Sequence, residues 1–302
     1  MNLDKISVDE NLINKPNFFI VGAPKSGTTN MSYYLMQHPQ VFMPDELEPY
    51  YFSRLDIPSD YQRPIIRDKE KYFKLFKKAN NKKCIGESSP VYLYSPNAAA
   101  DLKKYFPNSK IIISLRNPIE IAYSQYLSLK NMGFHQKLSF DEFIEFSEKK
   151  ILKNEFFIDS ILEAGFYSKH IQRFQNYFLD NQIKIIIFED YIKNPTSIIN
   201  SIFSFLEIEQ LTNFKPVSKN SYRTPQNSVS KFILNNSLIR QTSRKLISSK
   251  TRSKFGDKFL VKESVRPKIN SSELERLKKI FSNEVNNLEK LLEQELPWND
   301  FH

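Results

Sequence analysis

The sequence predicts an α/β fold in three layers, with helices on both faces of a central parallel sheet. Three observations carry this. The apolar runs Phe18-Phe19-Ile20-Val21, Lys110-Ile111-Ile112-Ile113-Ser114-Leu115 and Lys184-Ile185-Ile186-Ile187-Phe188 have strand length. They are continuous rather than alternating, as in strands buried on both faces. The first two end in polar turns followed by residues with helical period. At 302 residues and 40% hydrophobic, the chain has enough apolar mass for a core. One domain spanning 16–302 is expected, because α/β folds often run past 200 residues as a unit.

The elements follow in order. Residues 1–15 read as a loose polar leader without an apolar signal core. Residues 17–37 make the first strand–turn–helix unit, with Met31, Tyr34, Leu35 and Gln37 on the helical pattern. A loop punctuated by Pro44, Pro49 and Pro58 comes next. Residues 72–79 read as a short helix, 84–87 as a short strand or turn, and 98–106 as a helix stopped by Pro107-Asn108. A helix opens at Pro118, a favoured first-turn residue, and helical periodicity returns over 140–146 and 166–178. Ser272 and Glu275 form the expected capping box of a last helix. Its apolar stripe is Leu274, Leu277, Phe281, Val285, Leu288 and Leu292. Residues 216–268 are the least regular part and are expected to form a basic lid.

Composition excludes several classes. A single cysteine, Cys84, rules out an internal disulfide and a cysteine metal cluster. Four scattered histidines, at 38, 135, 170 and 302, give a metal site little to work with, so none is expected. No apolar run approaches the ~18 residues of a membrane span, and a cytoplasmic location is expected. The net charge of +10 is uneven: between Lys215 and Lys268 fourteen Lys and Arg face two acids, a net of +12. Such a block suits a multiply anionic nucleotide or an acidic acceptor, which it would steer inward. A protein that binds nucleic acid through phosphates is the non-enzymatic alternative.

Two segments carry the chemistry. Gly22-Ala23-Pro24-Lys25-Ser26-Gly27-Thr28-Thr29 lies between a strand and a helix. That geometry aims backbone N–H groups and a helix N-terminus at an anion. Lys25 adds a cation, and Thr28 and Thr29 add hydroxyls. In a nucleoside triphosphatase loop the lysine follows the second glycine, whereas Lys25 precedes Gly27. A single 5′-phosphate bearing a further group fits this order better, so a kinase-like phosphotransferase is the enzymatic alternative. Glu189-Asp190 comes closest to the magnesium carboxylate it would need. The second segment is Leu115-Arg116-Asn117-Pro118, with Ser124 about two helical turns on. Arg116 ends a strand, where ligands bind in open parallel sheets, and a guanidinium with a hydroxyl suits a second phosphate.

Together the two segments resemble the 5′- and 3′-phosphate sites of sulfotransferases that use 3′-phosphoadenosine 5′-phosphosulfate. The first resembles that family's P-K-[ST]-G-[ST]-[ST] loop and the second its L-R-[DN]-P-x5-S element. The resemblance continues at Gly165-Phe166-Tyr167, at Ile185-Ile186-Ile187-Phe188-Glu189-Asp190-Tyr191 and in the helix after Asn270, covering roughly 16–298. It implies a P-loop-like fold and transfer of a sulfuryl group to a hydroxyl or amine of a glycan, lipid or small molecule. By the same resemblance Lys25 neutralises the leaving oxygen. Ser26, Gly27, Thr28 and Thr29 hold the 5′-phosphate, and Arg116 and Ser124 hold the 3′-phosphate. Tyr222 and Arg223, in the basic block, join the donor-binding set.

The base is read the same way. Members of the heparan-sulfate branch use a glutamate ahead of an aromatic pair, a pattern that Glu48-Pro49-Tyr50-Tyr51-Phe52 resembles. Glu48 is the expected base, with Glu46 and then His38 as rivals. Glu87-Ser88-Ser89-Pro90 resembles a segment that lines the acceptor site, with Ser88 where the family often has lysine. Glu87, Ser88 and Tyr50 are the expected acceptor contacts, and Glu87 is also a rival base.

Overall fold

A computed structural model describes residues 14–45, 47–55, 65–131, 135, 137–153, 161–215, 217, 222–236, 239 and 260–302. Five parallel strands form the central sheet: β1 (Phe18–Gly22), β2 (Val41–Phe42), β3 (Cys84–Ser88), β4 (Lys110–Leu115) and β5 (Ile183–Ile187). Their order is β2-β3-β1-β4-β5. The helices are α1 (Thr28–Leu35), α2 (Lys69–Lys74), α3 (Ala98–Tyr105), α4 (Pro118–Asn131) and α5 (Phe140–Leu152). Then come α6 (Tyr167–Gln175), α7 (Phe188–Lys193), α8 (Pro195–Phe205), α9 (Ser228–Asn235) and α10 (Ser271–Leu292).

The continuous apolar runs have the reason expected of them. On β1, Phe19 and Val21 join one core and Phe18 and Ile20 another; on β4, Ile111, Ile113 and Leu115 divide from Ile112 in the same way. The first core is shared with Leu102 of α3, Ile171 and Phe174 of α6, and Val285 and Leu288 of α10. The second takes Met31 and Leu35 of α1 and Ile199, Ile202 and Phe203 of α8. This is the three-layer α/β/α arrangement. A third cluster joins α4, α5 and α10 through Ile119, Tyr126, Phe143, Leu277 and Phe281. Fully burying one such side chain contributes about 1.5–3 kcal/mol.

β1 pairs with β3 on one side and with β4 on the other, Phe19 standing beside Glu87 and Ile111. The chain leaves β1 and β4 at neighbouring carboxyl ends, where connections part in opposite directions. Open parallel sheets bind ligands at this position.

Local chemistry moved several boundaries. α2 starts at Lys69, three residues before the expected helix, because the Asp68 carboxylate accepts from Lys71 N at 2.8 Å. α5 runs on to Leu152 behind a capping box of Ser139 and Glu142. Phe188 opens α7 instead of closing β5. The box of α10 is Asn270 with Glu273, not Ser272 with Glu275. Asn270 Oδ1 accepts from Glu273 N at 2.8 Å, while Glu275 pairs with Lys278 at 3.3 Å. Part of the expected lid is regular: β6 (Arg223–Pro225) and β7 (Val261–Glu263) pair antiparallel. Residues 216, 218–221, 237–238 and 240–259, about half of the expected lid, and residues 1–13, most of the expected leader, lie outside the described residues. Among the described residues no helix is long and apolar enough to cross a membrane.

Candidate active site

The loop after β1 turns through two left-handed residues, Lys25 at φ 63° and Gly27 at φ 79°. Only glycine fits at 27, because a Cβ there would lie 2.8 Å from the Phe188 ring. Ser26 is buried; its hydroxyl donates to the Ala23 carbonyl at 2.5 Å, and its carbonyl accepts from Ser114 Oγ at 2.8 Å. Ala23 N also donates to Ser114 O at 2.7 Å, so the loop is stitched to the end of β4. No side-chain bond caps the N-terminus of α1. Its first-turn amides are thus of the kind that bind anions.

The turn after β4 is held from all sides. Arg116 donates through Nη1 to the Lys25 carbonyl at 3.0 Å and through Nη2 to Glu120 at 2.9 Å. Its guanidinium stacks on the Phe188 ring at 4.8 Å. Burial lowers its pKa, opposed by the charge of Glu120. Tyr167 donates to the Arg116 carbonyl at 2.7 Å. Glu189 accepts from Asn117 N at 3.1 Å and from Trp298 Nε1 at 3.0 Å. Glu189 is therefore occupied in shaping this turn, rather than standing as the magnesium carboxylate that the kinase-like alternative would need. Among the described residues no cluster of His, Cys, Asp and Glu suits a metal ion.

A third segment completes the site. Glu48 and Tyr50 are both left-handed, at φ 70° and 55°. A tyrosine at positive φ is strained and persists only where its surroundings over-determine it. Here Tyr50 N donates to Ser89 Oγ at 3.1 Å, Tyr50 O accepts from Arg67 Nη1 at 3.0 Å, and the Tyr50 hydroxyl donates to the Glu48 carboxylate.

One cleft of about 470 Å3 gathers Lys25, Gly27, Thr28, Thr29, Glu48, Tyr50, Arg116 and Ser124. Gln125 and Ser128 of α4 line it too, with Val91, Leu129 and Ile192 as apolar wall.

The remaining expected residues lie elsewhere. Glu87 and Ser88 are buried and are not among the residues that line the cleft, contrary to their expected acceptor role. Glu87 accepts from Tyr72 at 2.5 Å and Ser89 at 2.7 Å, and burial pushes its pKa up to about 7. Ser89 in turn holds Tyr50 N, and the Tyr92 hydroxyl holds Phe52 N at 3.1 Å, so Glu87 props the loop that carries Glu48. Glu87 is no base facing the cleft. Tyr222 packs against the third core cluster. The Arg223 side chain and Glu46 lie outside the described residues. His38 is buried against Phe203, with Nδ1 accepting from Gln40 N and Nε2 bonded to Glu209 O, each at 3.0 Å. Both its nitrogens are used in holding the loop after α1, so it is not the base.

The family model of the sulfotransferase domain matches residues 15–291. The chain belongs to the sulfotransferase family. A crystal structure of a sulfotransferase from Alicyclobacillus acidocaldarius is similar over 94% of this chain and 99% of that one, at 26% identity and a TM-score of 0.70. The membrane-associated sulfotransferase kil1 of Dictyostelium discoideum is 38% identical over 121 residues, 40% of this chain and 24% of that protein. Human bifunctional heparan sulfate N-deacetylase/N-sulfotransferase 2 is 29% identical over 207 residues, 66% of this chain and 23% of that protein. The chain thus spans about a quarter of the length of these two curated relatives.

The parts that three residues play in this candidate site escaped the sequence. Phe188 underlies Arg116 and excludes any side chain at 27. Glu120 is the i+4 partner of Arg116, a spacing that was there to be read. Arg266 also donates to Glu120, and nothing sets it apart among the fourteen cations of its segment.

Proposed function

We propose that this sulfotransferase takes its sulfuryl group from 3′-phosphoadenosine 5′-phosphosulfate and delivers it to a hydroxyl or amine of a glycan. The observation that carries the reading is the single cleft shared by the Lys25 loop, Arg116, Ser124 and Glu48. The donor supplies an activated S–O bond. Gly27, Thr28 and Thr29 bind its 5′-phosphate through first-turn amides and hydroxyls, and Arg116 with Ser124 binds its 3′-phosphate. Glu48 accepts the proton of the attacking hydroxyl as the new O–S bond forms. Lys25 neutralises the oxygen that keeps the electron pair when the old S–O bond breaks. Positioning and charge neutralisation suffice for in-line transfer of this kind, and the reading includes no metal.

The glycan is favoured because the heparan sulfate relative acts on one by name, and because Glu48-Pro49-Tyr50-Tyr51-Phe52 resembles the base segment of that branch. The test is transfer of radiolabelled sulfate onto desulfated glycans beside lipid and small-alcohol acceptors. Label on glycan is the expected result. Label only on lipid or small alcohol overturns the glycan and leaves the donor reading standing.

A further inference from the structure

Glu120 Oε2 accepts from Arg116 Nη2 at 2.9 Å and, at the same time, from Arg266 Nη1. Arg266 arrives from the segment between β7 and α10, 146 residues away in sequence. One carboxylate oxygen therefore binds two guanidinium groups. Each is held against an aromatic ring, Arg116 on Phe188 at 4.8 Å and Arg266 on Tyr123 at 4.9 Å. Nε and Nη2 of Arg266 are buried and have no hydrogen-bond partner among the described residues.

Charge and hydrogen bonds are both out of balance here. Two guanidinium groups converge on one carboxylate, and the proximity of Arg266 works against the charge of Arg116, which Glu120 and Glu189 favour. Two buried donors stay idle, a state that costs stability. A phosphate dianion would correct both deficits, since it brings the missing charge and three acceptor oxygens that guanidinium groups can share. It would also meet Glu120, whose carboxylate occupies the point where the two arginines converge. Like charges at that separation repel strongly away from bulk water. The Glu120 side chain is 35% exposed, so it can turn toward solvent without disturbing α4.

We propose that Glu120 is a resident anion of the 3′-phosphate subsite and a determinant of its selectivity. In the donor-free enzyme it holds Arg116 and Arg266 together. It yields them to the 3′-phosphate and takes them back as the nucleotide product leaves. The inference rests on the donor assigned above, and it adds a competitor to that site: binding of a 3′-phosphate is weakened by Glu120, which speeds release.

The test is calorimetric titration of the full chain and its Glu120→Gln variant with adenosine 3′,5′-bisphosphate and with adenosine 5′-phosphate. Gln keeps the size of the side chain and removes its charge. The variant should bind the bisphosphate about tenfold more tightly, with slower dissociation, and the monophosphate with unchanged affinity. Glu120→Ala should behave alike, and an unchanged melting temperature for either variant checks the fold. Bisphosphate binding that is equal or weaker in both variants overturns the proposal, because Glu120 then only positions Arg116. Equal tightening of both nucleotides also overturns it, as a general field effect. Failure of the unmodified protein to prefer the bisphosphate is a different result, and it removes the donor assignment itself.

Discussion

Arg116 Nη1 donates to the backbone carbonyl of Lys25 at 3.0 Å. The two motifs of the sequence are thereby one unit, since the residue proposed to read one phosphate holds the loop proposed to read the other. Ser114 reinforces the joint through its bonds to Ser26 and Ala23. A change at Arg116 should therefore be felt in the geometry of the loop as well as in its own subsite.

Lys25→Ala and Arg116→Ala should separate turnover from donor binding. Losing Lys25 should lower kcat by ~100-fold or more, the scale for removing one preorganised donor at a developing charge. Donor affinity should fall less, because backbone amides of α1 remain. Losing Arg116 should chiefly weaken donor binding, and Arg116→Lys should not restore it, since an ammonium cannot reach Lys25 O and an anion together in the same fork. Steady-state kinetics with varied donor checks both. Near-normal kcat in the Lys25 variant would make the loop purely structural.

Glu48→Gln should lower kcat by ~10²–10⁴-fold while nucleotide binding is kept, as expected when a base is replaced by an amide of its own size. Tyr50→Phe removes the hydroxyl that holds the Glu48 carboxylate and should give a smaller loss, again in kcat. Single-turnover rates beside nucleotide titrations make the comparison. An active Glu48 variant would move the base to Glu46, the remaining rival of the sequence.

Glu87 gives a pH signature of stability. Burial raises its pKa from 4.5 to about 7, against the pull of its hydroxyl partners. The folded state thus holds this proton more tightly than the unfolded chain. Its contribution is whole below about 4.5 and is lost as pH rises through about 7, on the order of 3 kcal/mol in all. His170 has the opposite sign: burial lowers it from 6.5 to about 3, so its contribution is present above 6.5 and is lost as pH falls through about 3. Between 4.5 and 6.5 the two slopes oppose each other. The melting temperature of Glu87→Gln should therefore rise with pH across that window and level off above it, where that of the parent still falls toward pH 7. Parallel curves for variant and parent would mean that Glu87 is ionised throughout.

Local features were legible in the sequence and long-range ones were not. The β1 loop is a run of eight residues whose strand, turn and helix are neighbours, so its spacing alone announces it. Arg116 and Ser124 share one helix start for the same reason. The double-sided cores follow from uninterrupted Ile and Phe, because each strand face has an apolar layer to meet. Glu87 was misread because nothing adjacent to it records that Tyr72, Ser89 and Tyr92 close over its carboxylate. Arg266 was invisible, since its meeting with Glu120 needs the whole turn from β7 to α10. The cap of α10 went to Asn270 because a helix begun at Ser271 lets Glu273 reach back to Asn270 N at 3.2 Å.

The most direct measurement of the central claim is the melting temperature of the protein with adenosine 3′,5′-bisphosphate, beside ATP, with metal chelated. A ligand that binds only the native state raises stability by about 2.7 kcal/mol at a hundredfold excess over its dissociation constant. The bisphosphate should produce such a rise without metal, and ATP, which has no 3′-phosphate for Arg116 and Ser124, should produce far less. Equal shifts from both nucleotides, or a shift that appears only with magnesium, would contradict the account.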